Sequence, residues 1–402
     1  MLKLPASGSP NRPEMTVRVL HVSPYFAPAF VYGGPPRSIL GLCKGLQQSG
    51  IDVEVFTTTA NGKTDMPASP VSGDRYEGVP VRYFARTVPR RLWNASGLRE
   101  ALDSSASRFD LIHIHGLWHR PSALAARAAA AAGIPYVVSP RGMLEPAALA
   151  IHKWRKRALF EAVERRTLSR AALLHATSAA EAASIDALRL GVDVAVVPNG
   201  IDLEAAPVGV PDRLRRRAGL GANTRIVLFL GRVHPIKRLD LLGEAVARLT
   251  TSNVALVIAG PDEGHRSTLE SLFARLRVPV YWLGPVDGAD KADALAAANV
   301  LVLCSDSESF GMAAVEAMAH AVPVVVTRTC PWGEIAERGA GRWVPQTAEA
   351  ITSAIDEILR DSALAASMAA AGRRLVAEKY SWTAIAKAMA GHYLTITSLL
   401  PA

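Results

Sequence analysis

The sequence predicts an α/β fold of two domains, each built around a parallel β-sheet. Short runs rich in β-branched residues alternate with longer Ala- and Leu-rich stretches that are typical of helices. Many of the short runs are apolar on both faces, as strands buried in a parallel sheet are. With 402 residues, half of them hydrophobic, the chain is long enough for two such domains with sizeable cores. A cleft between the two domains is the expected place for a ligand.

The candidate strands form two series, separated by a segment rich in Pro and Gly. The first series comprises residues 17–22, 53–57, 79–84, 111–115, 136–139, 173–176 and 194–197. The second series comprises residues 226–230, 254–259, 280–283, 300–304 and 322–327. The linker between them is predicted at residues 198–200 and 205–211. Residues 347–400 show no strand pattern and are predicted to be helical, with a break near Tyr380 and Ser381.

Capping residues mark several helix boundaries. Ser178, followed three residues later by Glu181, has the form of a capping box, and Gly191 is predicted to end that helix. Gly133 is predicted to end an Ala-rich helix earlier in the chain. We divide the chain into a loose N-terminal tail (1–14), a first α/β domain (15–205), a second α/β domain (206–380) and a final helical segment (381–402).

The composition limits the class of protein and its compartment. Lys and Arg number 45 against 36 Asp and Glu, and the formal net charge of +9 suits phosphorylated ligands, nucleic acid or an anionic membrane. Cys43, Cys304 and Cys330 form no CxxC pair, which fits a reducing compartment. Residues 1–14 lack the apolar core of a signal peptide, and no apolar run approaches the ~20 residues of a spanning helix. We therefore expect a cytoplasmic protein, and the charge leaves peripheral attachment to the inner face of the cell membrane open.

The loop after residues 226–230 is the first candidate ligand site, because ligands gather at the carboxyl ends of parallel strands. Gly231 allows a tight exit from the strand. Arg232 offers a planar fork of donors to a phosphate, and Lys237 offers a compact positive charge. We interpret this loop as a phosphate-binding site, and the alternative is an exposed loop with two solvated cations.

The segment after residues 300–304 carries two acidic residues that are predicted to border one ligand. A helix is expected to begin near Phe310, which leaves Glu308 in the loop and places Glu316 on the helix. Carboxylates accept hydrogen bonds from sugar hydroxyls, and the unpaired amides at a helix start suit a diphosphate. Apolar neighbours predict that Glu316 is buried and needs a partner. The alternatives are a first-turn acid for Glu308 and a solvated helix face for Glu316.

The fourth candidate strand supplies histidines, and the first helix begins with glycines. Alternation along the strand places His113 and His115 on one face, with His115 nearer the cleft. We expect His115 to contact substrate, and a packed structural histidine is the alternative. A metal site that adds His119 is disfavoured because no acidic ligand adjoins it, so no metal is predicted.

Gly33 and Gly34 permit close backbone approach to a ligand, unless they form a plain glycine loop.

A basic segment at residues 152–157 holds Lys153, Arg155 and Lys156 beside Trp154. It is suited to an anionic membrane or an anionic acceptor, and the alternative is the solvated face of a packed helix. The sequence contains no recognisable nucleic-acid-binding module, and aromatic residues make up only 6% of the chain. Nucleic acid is therefore not expected as a partner.

Together these motifs resemble the retaining glycosyltransferases of family 4, which have the GT-B fold: two Rossmann-like parallel-sheet domains facing a central cleft. The resemblance runs over roughly residues 15–395 and rests on the loop with Arg232 and Lys237 and on the pair Glu308 and Glu316. Four further motifs are similar to a branch common in bacterial exopolysaccharide and lipopolysaccharide synthesis. They lie at residues 112–118, 139–144, 198–200 and 329–332.

The resemblance implies a role for each residue of the second domain's site. Arg232 and Lys237 would hold the diphosphate of a nucleotide-sugar. Glu316 would bind the ribose hydroxyls, and Glu308 would bind hydroxyls of the donor sugar. The backbone amides that would meet the diphosphate or the sugar are those of Phe310, Gly311 and Met312. Arg238 follows Lys237 where many relatives have Gly, which leaves the essential lysine unaffected.

The resemblance also implies roles in the first domain and at its edge. His115 matches a family histidine beside the donor sugar, and the segment ending at Val286 would flank the base. Gly33 and Gly34 belong to the expected donor site, and the final helix would cross back to the first domain. Residues assigned to the acceptor or membrane side are Arg141, Lys153, Arg155 and Lys156.

The implied reaction is transfer of a sugar to a hydroxyl of a glycan or lipid-linked glycan with retention of anomeric configuration. Arg232 and Lys237 would neutralise the leaving diphosphate, so no cofactor and no metal is required. One alternative is a nucleotide-sugar epimerase or hydrolase on the same fold. The other is a non-catalytic protein that binds sugar nucleotides.

Overall fold

The computed structural model describes residues 16–66, 75–203 and 208–399. The predicted tail at residues 1–14 and residues 204–207 of the linker region lie outside these ranges. Within them, the two predicted series of strands form two separate sheets. Each sheet is parallel, apart from one short antiparallel edge strand in the first.

The first sheet has the strand order β10-β9-β8-β7-β1-β2-β6-β5. Strands β3 and β4 form a small separate hairpin. The strands are β1 (Arg18–Ser23), β2 (Asp52–Thr58), β3 (Ala60–Asn61), β4 (Thr64–Asp65), β5 (Arg75–Tyr76), β6 (Val79–Phe84), β7 (Leu111–His115), β8 (Tyr136–Ser139), β9 (Leu173–Ala176) and β10 (Val194–Val196). The helices of this half are α1 (Gly34–Gln48), α2 (Ser96–Ser105), α3 (Arg120–Ala132), α4 (Pro146–Ala150), α5 (Lys153–Leu159), α6 (Arg165–Ser169) and α7 (Ala179–Asp186).

The second sheet has the strand order β13-β12-β11-β14-β15-β16. Its strands are β11 (Arg225–Leu230), β12 (Val254–Ala259), β13 (Val280–Gly284), β14 (Val300–Leu303), β15 (Val324–Thr327) and β16 (Gly341–Val344). The helices are α8 (Pro211–Ala218), α9 (Leu239–Ala247), α10 (Arg266–Leu276), α11 (Gly288–Ala297), α12 (Met312–Ala319), α13 (Glu334–Glu337), α14 (Ala348–Arg360), α15 (Ser362–Lys379) and α16 (Trp382–Ser398).

Every predicted strand is present, within one or two residues at its ends. Strand β16 was not predicted, because a short edge strand containing Gly and Arg has no apolar alternation to reveal it. Gly133 ends α3 in the left-handed conformation, as predicted. The prediction for Gly191 was wrong: α7 ends at Asp186, and the chain continues in turns before that glycine.

The final helix, α16, packs against α1 of the first domain rather than against the second sheet. The indole of Trp382 occupies the space that side chains would need at Gly41 and Gly200, where an added Cβ would lie 2.1 and 2.6 Å from it. Small residues on α1 therefore let α16 approach closely. In the described part of the chain, no helix combines the length and apolar character needed to span a bilayer.

Candidate active site

An ion pair joins the two predicted signature loops of the second domain. Lys237 ends a short 3-10 turn after β11, and its Nζ donates to Oε2 of Glu308 at 2.5 Å. Both side chains are largely buried, with 13% and 16% of their surfaces exposed. Ser305 also donates to that carboxylate oxygen, at 3.3 Å. The structure thus brings together a cation and a carboxylate that lie 71 residues apart in the sequence.

A second ion pair lies on the neighbouring helices. Glu316, on α12, has a side chain only 16% exposed, and its Oε1 accepts from Nζ of Lys291 on α11 at 2.8 Å. The partner that a buried carboxylate requires is therefore Lys291. Sequence reasoning missed this lysine, because nothing in its local pattern separates it from a solvated helix position.

Arg232 is engaged differently from Lys237. Its Nη1 donates to both carboxylate oxygens of Glu263 at 2.8 Å, on the surface, where 46% of the arginine side chain is exposed. Exposed pairs of this kind contribute about 0–1 kcal/mol. The guanidinium is thus free to exchange Glu263 for another anion at low cost.

The helix start after Glu308 lies two residues later than expected. Helix α12 begins at Met312, preceded by Gly311 in the left-handed conformation at φ 84°. A Cβ at Gly311 would lie 3.0 Å from Nε1 of Trp332, so any side chain here would be both strained and tightly packed. Phe310 is buried against Trp332 and Tyr380, so only its backbone is placed to meet a ligand.

Arg238, which follows Lys237, adopts the left-handed conformation at φ 52°. This conformation favours glycine, and residues with a side chain adopt it rarely. Its guanidinium donates to Asp240 at 3.2 Å and to Asp306 at 3.0 Å. These two ion pairs hold the side chain of Arg238 against its own domain.

The first helix meets the second domain across the cleft. Gly33 caps α1 at φ 80°, and an added Cβ at Gly33 or Gly34 would contact nothing within 4 Å. Three residues further on, Arg37 pairs with Asp287 at 2.5 Å. Asp287 directly follows Val286, which is half-buried against the second core. The glycine loop and the predicted base-flanking segment thus lie on opposite sides of one interdomain contact.

A cluster of buried histidines occupies the carboxyl end of β7. The rings of His113 and His115 lie 4.2 Å apart, which confirms that they share one face of the strand. His21 of β1 lies beside both, at ring distances of 5.1 and 5.2 Å. His115 is only 1% exposed, so its predicted contact with substrate stays a prediction.

Hydrogen bonds fix the protonation of one half of this cluster. Nε2 of His175 donates to the carbonyl of Val197 at 2.7 Å, because a carbonyl oxygen only accepts. Burial lowers the pKa of His175 to about 3, so its Nδ1 is unprotonated and accepts from Ser139 at 2.6 Å. Ser139 then accepts from Nε2 of His113 at 2.6 Å, and Nδ1 of His113 accepts from the Tyr393 hydroxyl at 2.5 Å. The final helix, α16, therefore supplies the donor that starts this chain of bonds.

Arg141 fixes the other half of the cluster. Its guanidinium donates to Nδ1 of His115 at 3.2 Å and to the Ser38 hydroxyl at 2.9 Å. Nε2 of His115 therefore carries the proton and donates to Nδ1 of His21 at 2.9 Å. Arg141 as a whole is only partly buried, but burial of its guanidinium lowers the pKa of the side chain.

The nitrogens of His21, His113 and His115 lie within 4.8 Å of one another, which is a spacing that a metal ion accepts. A metal would displace the hydrogen bonds just described, and the charge of Arg141 beside them opposes a cation. The expected partner in a metal site, His119, lies apart, against Trp93 and Tyr25. A metal-free site remains our prediction.

The basic segment forms α5, and its residues differ in exposure. Trp154 is 76% exposed and Ile151 is 55% exposed, with Lys153 and Arg155 exposed beside them. Lys156 is half-buried instead, donating to the carbonyl of Ala148 and lying 5.9 Å from the Trp118 ring. Lys156 is therefore tied to the protein, whereas the other basic residues face outward.

The acidic loop of the second domain also contacts the first domain. Ser307 donates to Oε2 of Glu145, the residue before α4, at 2.7 Å. Sequence reasoning missed Glu145, although it directly follows the motif at residues 139–144. The sequence did offer one signal for Glu145: it lies in the loop that follows β8, three residues after Gly142.

These features place charged and polar loops of two parallel-sheet domains around one cleft, which is the GT-B class of architecture. Two solved structures share the fold. Sucrose-phosphate synthase from Thermosynechococcus elongatus has a TM-score of 0.76 and 22% identity, covering 96% of this chain and 100% of its own. HepE from Anabaena, in complex with UDP and glucose, has a TM-score of 0.72 and 21% identity, covering 94% and 100%.

The sequence matches the "Glycosyl transferase 4-like domain" family over residues 33–200 and the "Glycosyl transferases group 1" family over residues 211–375. A protein named D-inositol 3-phosphate glycosyltransferase from Geodermatophilus obscurus is 30% identical over 349 residues, or 80% of this chain and 76% of that relative. A protein of the same name from Kineococcus radiotolerans is 30% identical over 409 residues, covering 92% of each. The chain belongs to the glycosyltransferases of family 4.

The buried histidines predict a stability that falls in mild acid. Burial lowers the pKa values of His21, His119 and His175 to about 3, whereas an unfolded histidine titrates near 6.5. Below pH 6.5 the unfolded chain binds more protons, so each histidine lowers the free energy of unfolding by about 1.4 kcal/mol per pH unit as the pH falls. Burial raises the pKa of Glu164 to about 7 and also raises that of Glu145, and these two carboxyl groups oppose the trend. Urea unfolding between pH 7.5 and 5 measures the slope.

Replacing one of these histidines gives the matched comparison. His119→Gln should reduce the slope by about 1.4 kcal/mol per pH unit, because it removes one buried titrating group. His152→Gln, which removes a histidine from an exposed position, serves as the matched control. Equal stability of the wild-type protein at pH 7 and pH 5 would contradict the assignment of neutral buried histidines.

Proposed function

We propose that the protein is a retaining glycosyltransferase that uses a nucleotide-diphosphate sugar. The acceptor is a hydroxyl of a glycan or lipid-linked glycan, and the pathway is synthesis of a cell-surface polysaccharide. The observation that carries the proposal is the pairing of Lys237 with Glu308 beside the pairing of Lys291 with Glu316. A diphosphate and a diol are the groups that these cations and carboxylates suit.

In this proposal, the chain's own residues position the donor and neutralise its leaving group. Lys237 exchanges part of its bond to Glu308 for the diphosphate, and Arg232 leaves Glu263 to join it. The acceptor hydroxyl attacks the face from which the nucleoside diphosphate departs, and the leaving phosphate takes the proton of that hydroxyl. The protein supplies orientation and charge stabilisation, which are large terms in catalysis. Neither a cofactor nor a metal is needed.

A phosphorylated acceptor is the second candidate. Two relatives with 30% identity bear names that specify D-inositol 3-phosphate. The feature of this chain that favours such an acceptor is Arg141, whose guanidinium lies beside the neutral His115. An arginine fork is well suited to phosphate.

The proposed reaction is tested by screening UDP-, GDP- and ADP-sugars for hydrolysis and for transfer to glycan and inositol phosphate acceptors. We expect one nucleotide class to be consumed, with the product keeping the donor's anomeric configuration in its proton NMR coupling. Epimerised donor without transfer would favour the epimerase alternative. Binding without turnover in every case would favour the non-catalytic alternative.

Removing either cation should reduce turnover strongly. Negative charge on the diphosphate grows as the sugar leaves, so Arg232→Ala and Lys237→Ala should each lower kcat about 10²–10³-fold, or ~2.7–4 kcal/mol. The loss of kcat in the double variant should be far smaller than the product of the two single losses, because both residues act on one leaving group. Measurements of kcat at saturating donor, with circular dichroism to confirm folding, decide this.

Arg266→Ala is the matched control for these variants, because Arg266 is an exposed arginine on α10 whose guanidinium pairs with Glu270. We expect its kcat to stay within two-fold of the wild-type value, as roughly ±0.5 kcal/mol is typical of surface changes. Near-normal kcat in either Arg232→Ala or Lys237→Ala would remove that residue from the leaving-group site.

We also propose that the outward face of α5 attaches the enzyme loosely to anionic membranes. The exposed Trp154 and Ile151 beside Lys153 and Arg155 combine an apolar tip with positive charge. Each basic residue near an anionic surface contributes about 1 kcal/mol, so the double change Lys153→Gln and Arg155→Gln should weaken vesicle binding about 30-fold. Sedimentation with phosphatidylserine vesicles at low and high salt measures it.

The double change Arg373→Gln and Arg374→Gln removes the same charge from exposed positions on α15 and should leave vesicle binding nearly unchanged. It separates the effect of α5 from that of net charge. Equal binding to neutral vesicles, or no binding at low salt, would count against the membrane proposal.

A further inference from the structure

Glu145 lies where the first domain reaches the acidic loop of the second. It precedes α4, and its Oε2 accepts from the Ser307 hydroxyl at 2.7 Å. Its other carboxylate oxygen, Oε1, is buried and has no hydrogen-bond partner among the described residues. A buried carboxylate oxygen is costly unless a donor satisfies it.

The surrounding backbone holds Glu145 in this position. Gly142, three residues earlier, is left-handed at φ 77°, and a Cβ there would lie 2.8 Å from Cβ of Ser309. The two loops thus touch, and only glycine allows this contact. The amide of Gly142 donates to the buried Glu181 at 2.5 Å, which anchors the loop to α7.

Two of the charges near Glu145, those of Lys237 and Glu308, belong to the proposed donor site. Burial raises the pKa of this carboxyl group, and the nearby carboxylates of Glu181 and Glu308 raise it further. The bond from Ser307 and the charge of Lys237 act in the opposite direction. Glu145 is therefore within electrostatic reach of the Lys237 and Glu308 pair, although it comes from the other domain.

We propose that Glu145 is a positioning residue that accepts a hydrogen bond from a hydroxyl of the transferred sugar. This inference rests on the proposed function. Ser307 holds one carboxylate oxygen, and the second oxygen is left to receive the sugar. Sugar hydroxyls are the matching chemistry, because they donate to carboxylates and bring no charge of their own. The contact would fix the sugar between the two domains before the acceptor attacks.

The test compares two ligands in one variant, Glu145→Gln. The probes are the nucleotide-sugar consumed in the screen of UDP-glucose, GDP-mannose and ADP-glucose, and the matching nucleoside diphosphate. Calorimetry should show about ten-fold weaker binding of the nucleotide-sugar, or ~1.4 kcal/mol, because a neutral amide replaces the charged acceptor of the hydrogen bond. Binding of the nucleoside diphosphate, which lacks the sugar, should stay within two-fold. Equal losses for both probes, or no loss for either, would overturn the proposal.

Ser307→Ala separates sugar binding from loop anchoring. It removes the bond to Oε2 but leaves the carboxylate, so the affinity for the nucleotide-sugar should stay within about three-fold of wild type. If this variant reproduces the whole loss, Glu145 acts only through the loop and the proposal is wrong. Glu161→Gln, at an exposed glutamate that pairs with Arg165, is the matched control.

Monodeoxy analogues of the sugar test for direct contact. A purely structural role of Glu145 would not make the effect of Glu145→Gln depend on which hydroxyl the analogue lacks. For the analogue that lacks the contacted hydroxyl, wild type and Glu145→Gln should bind equally, whereas the other analogues keep the ten-fold difference. An identical difference for all analogues would overturn the assignment. If the wild-type protein binds no nucleoside diphosphate at all, the proposed function itself fails, which is a distinct outcome.

Discussion

The ion pair between Lys237 and Glu308 is the interaction on which the site depends. It joins the loop after β11 to the loop after β14, two strands that are neighbours in the second sheet. Removing one partner would leave a largely buried charge alone, which typically costs about 3–5 kcal/mol. The pair therefore preorganises both loops, and it leaves their remaining donors and acceptors directed at the same cleft.

The first domain is organised by a different constraint: buried imidazoles must remain neutral. Val197 at one end and Arg141 at the other determine which nitrogen of each histidine carries the proton. Tyr393 reaches this cluster from α16, so the last helix of the chain completes a hydrogen-bond network inside the first domain. The packing of Trp382 over Gly41 and Gly200 holds that helix in place. The C-terminal segment is thus part of the first domain's polar core.

Two polar contacts join the halves across the cleft. Arg37 pairs with Asp287 on one side of the cleft, and Glu145 accepts from Ser307 on another. Both contacts involve exposed or partly exposed groups, which exchange partners with water more cheaply than the buried pairs within each domain do. This difference suits a site in which a ligand must enter between the two domains.

The sequence by itself determined the class of fold, the two series of strands and the signature residues of the second domain. β-branched runs that are apolar on both faces have few alternatives to buried parallel strands, and the loops that follow them must lie at one edge. The same reasoning failed for β16 and for the end of α7, where local signals are weak. Partners distant in the chain were decided only by the tertiary structure. Lys291 beside Glu316, Glu263 beside Arg232 and Glu145 beside Ser307 each depend on how helices and domains pack, because a side chain's partner is set by distance in space rather than by spacing along the chain.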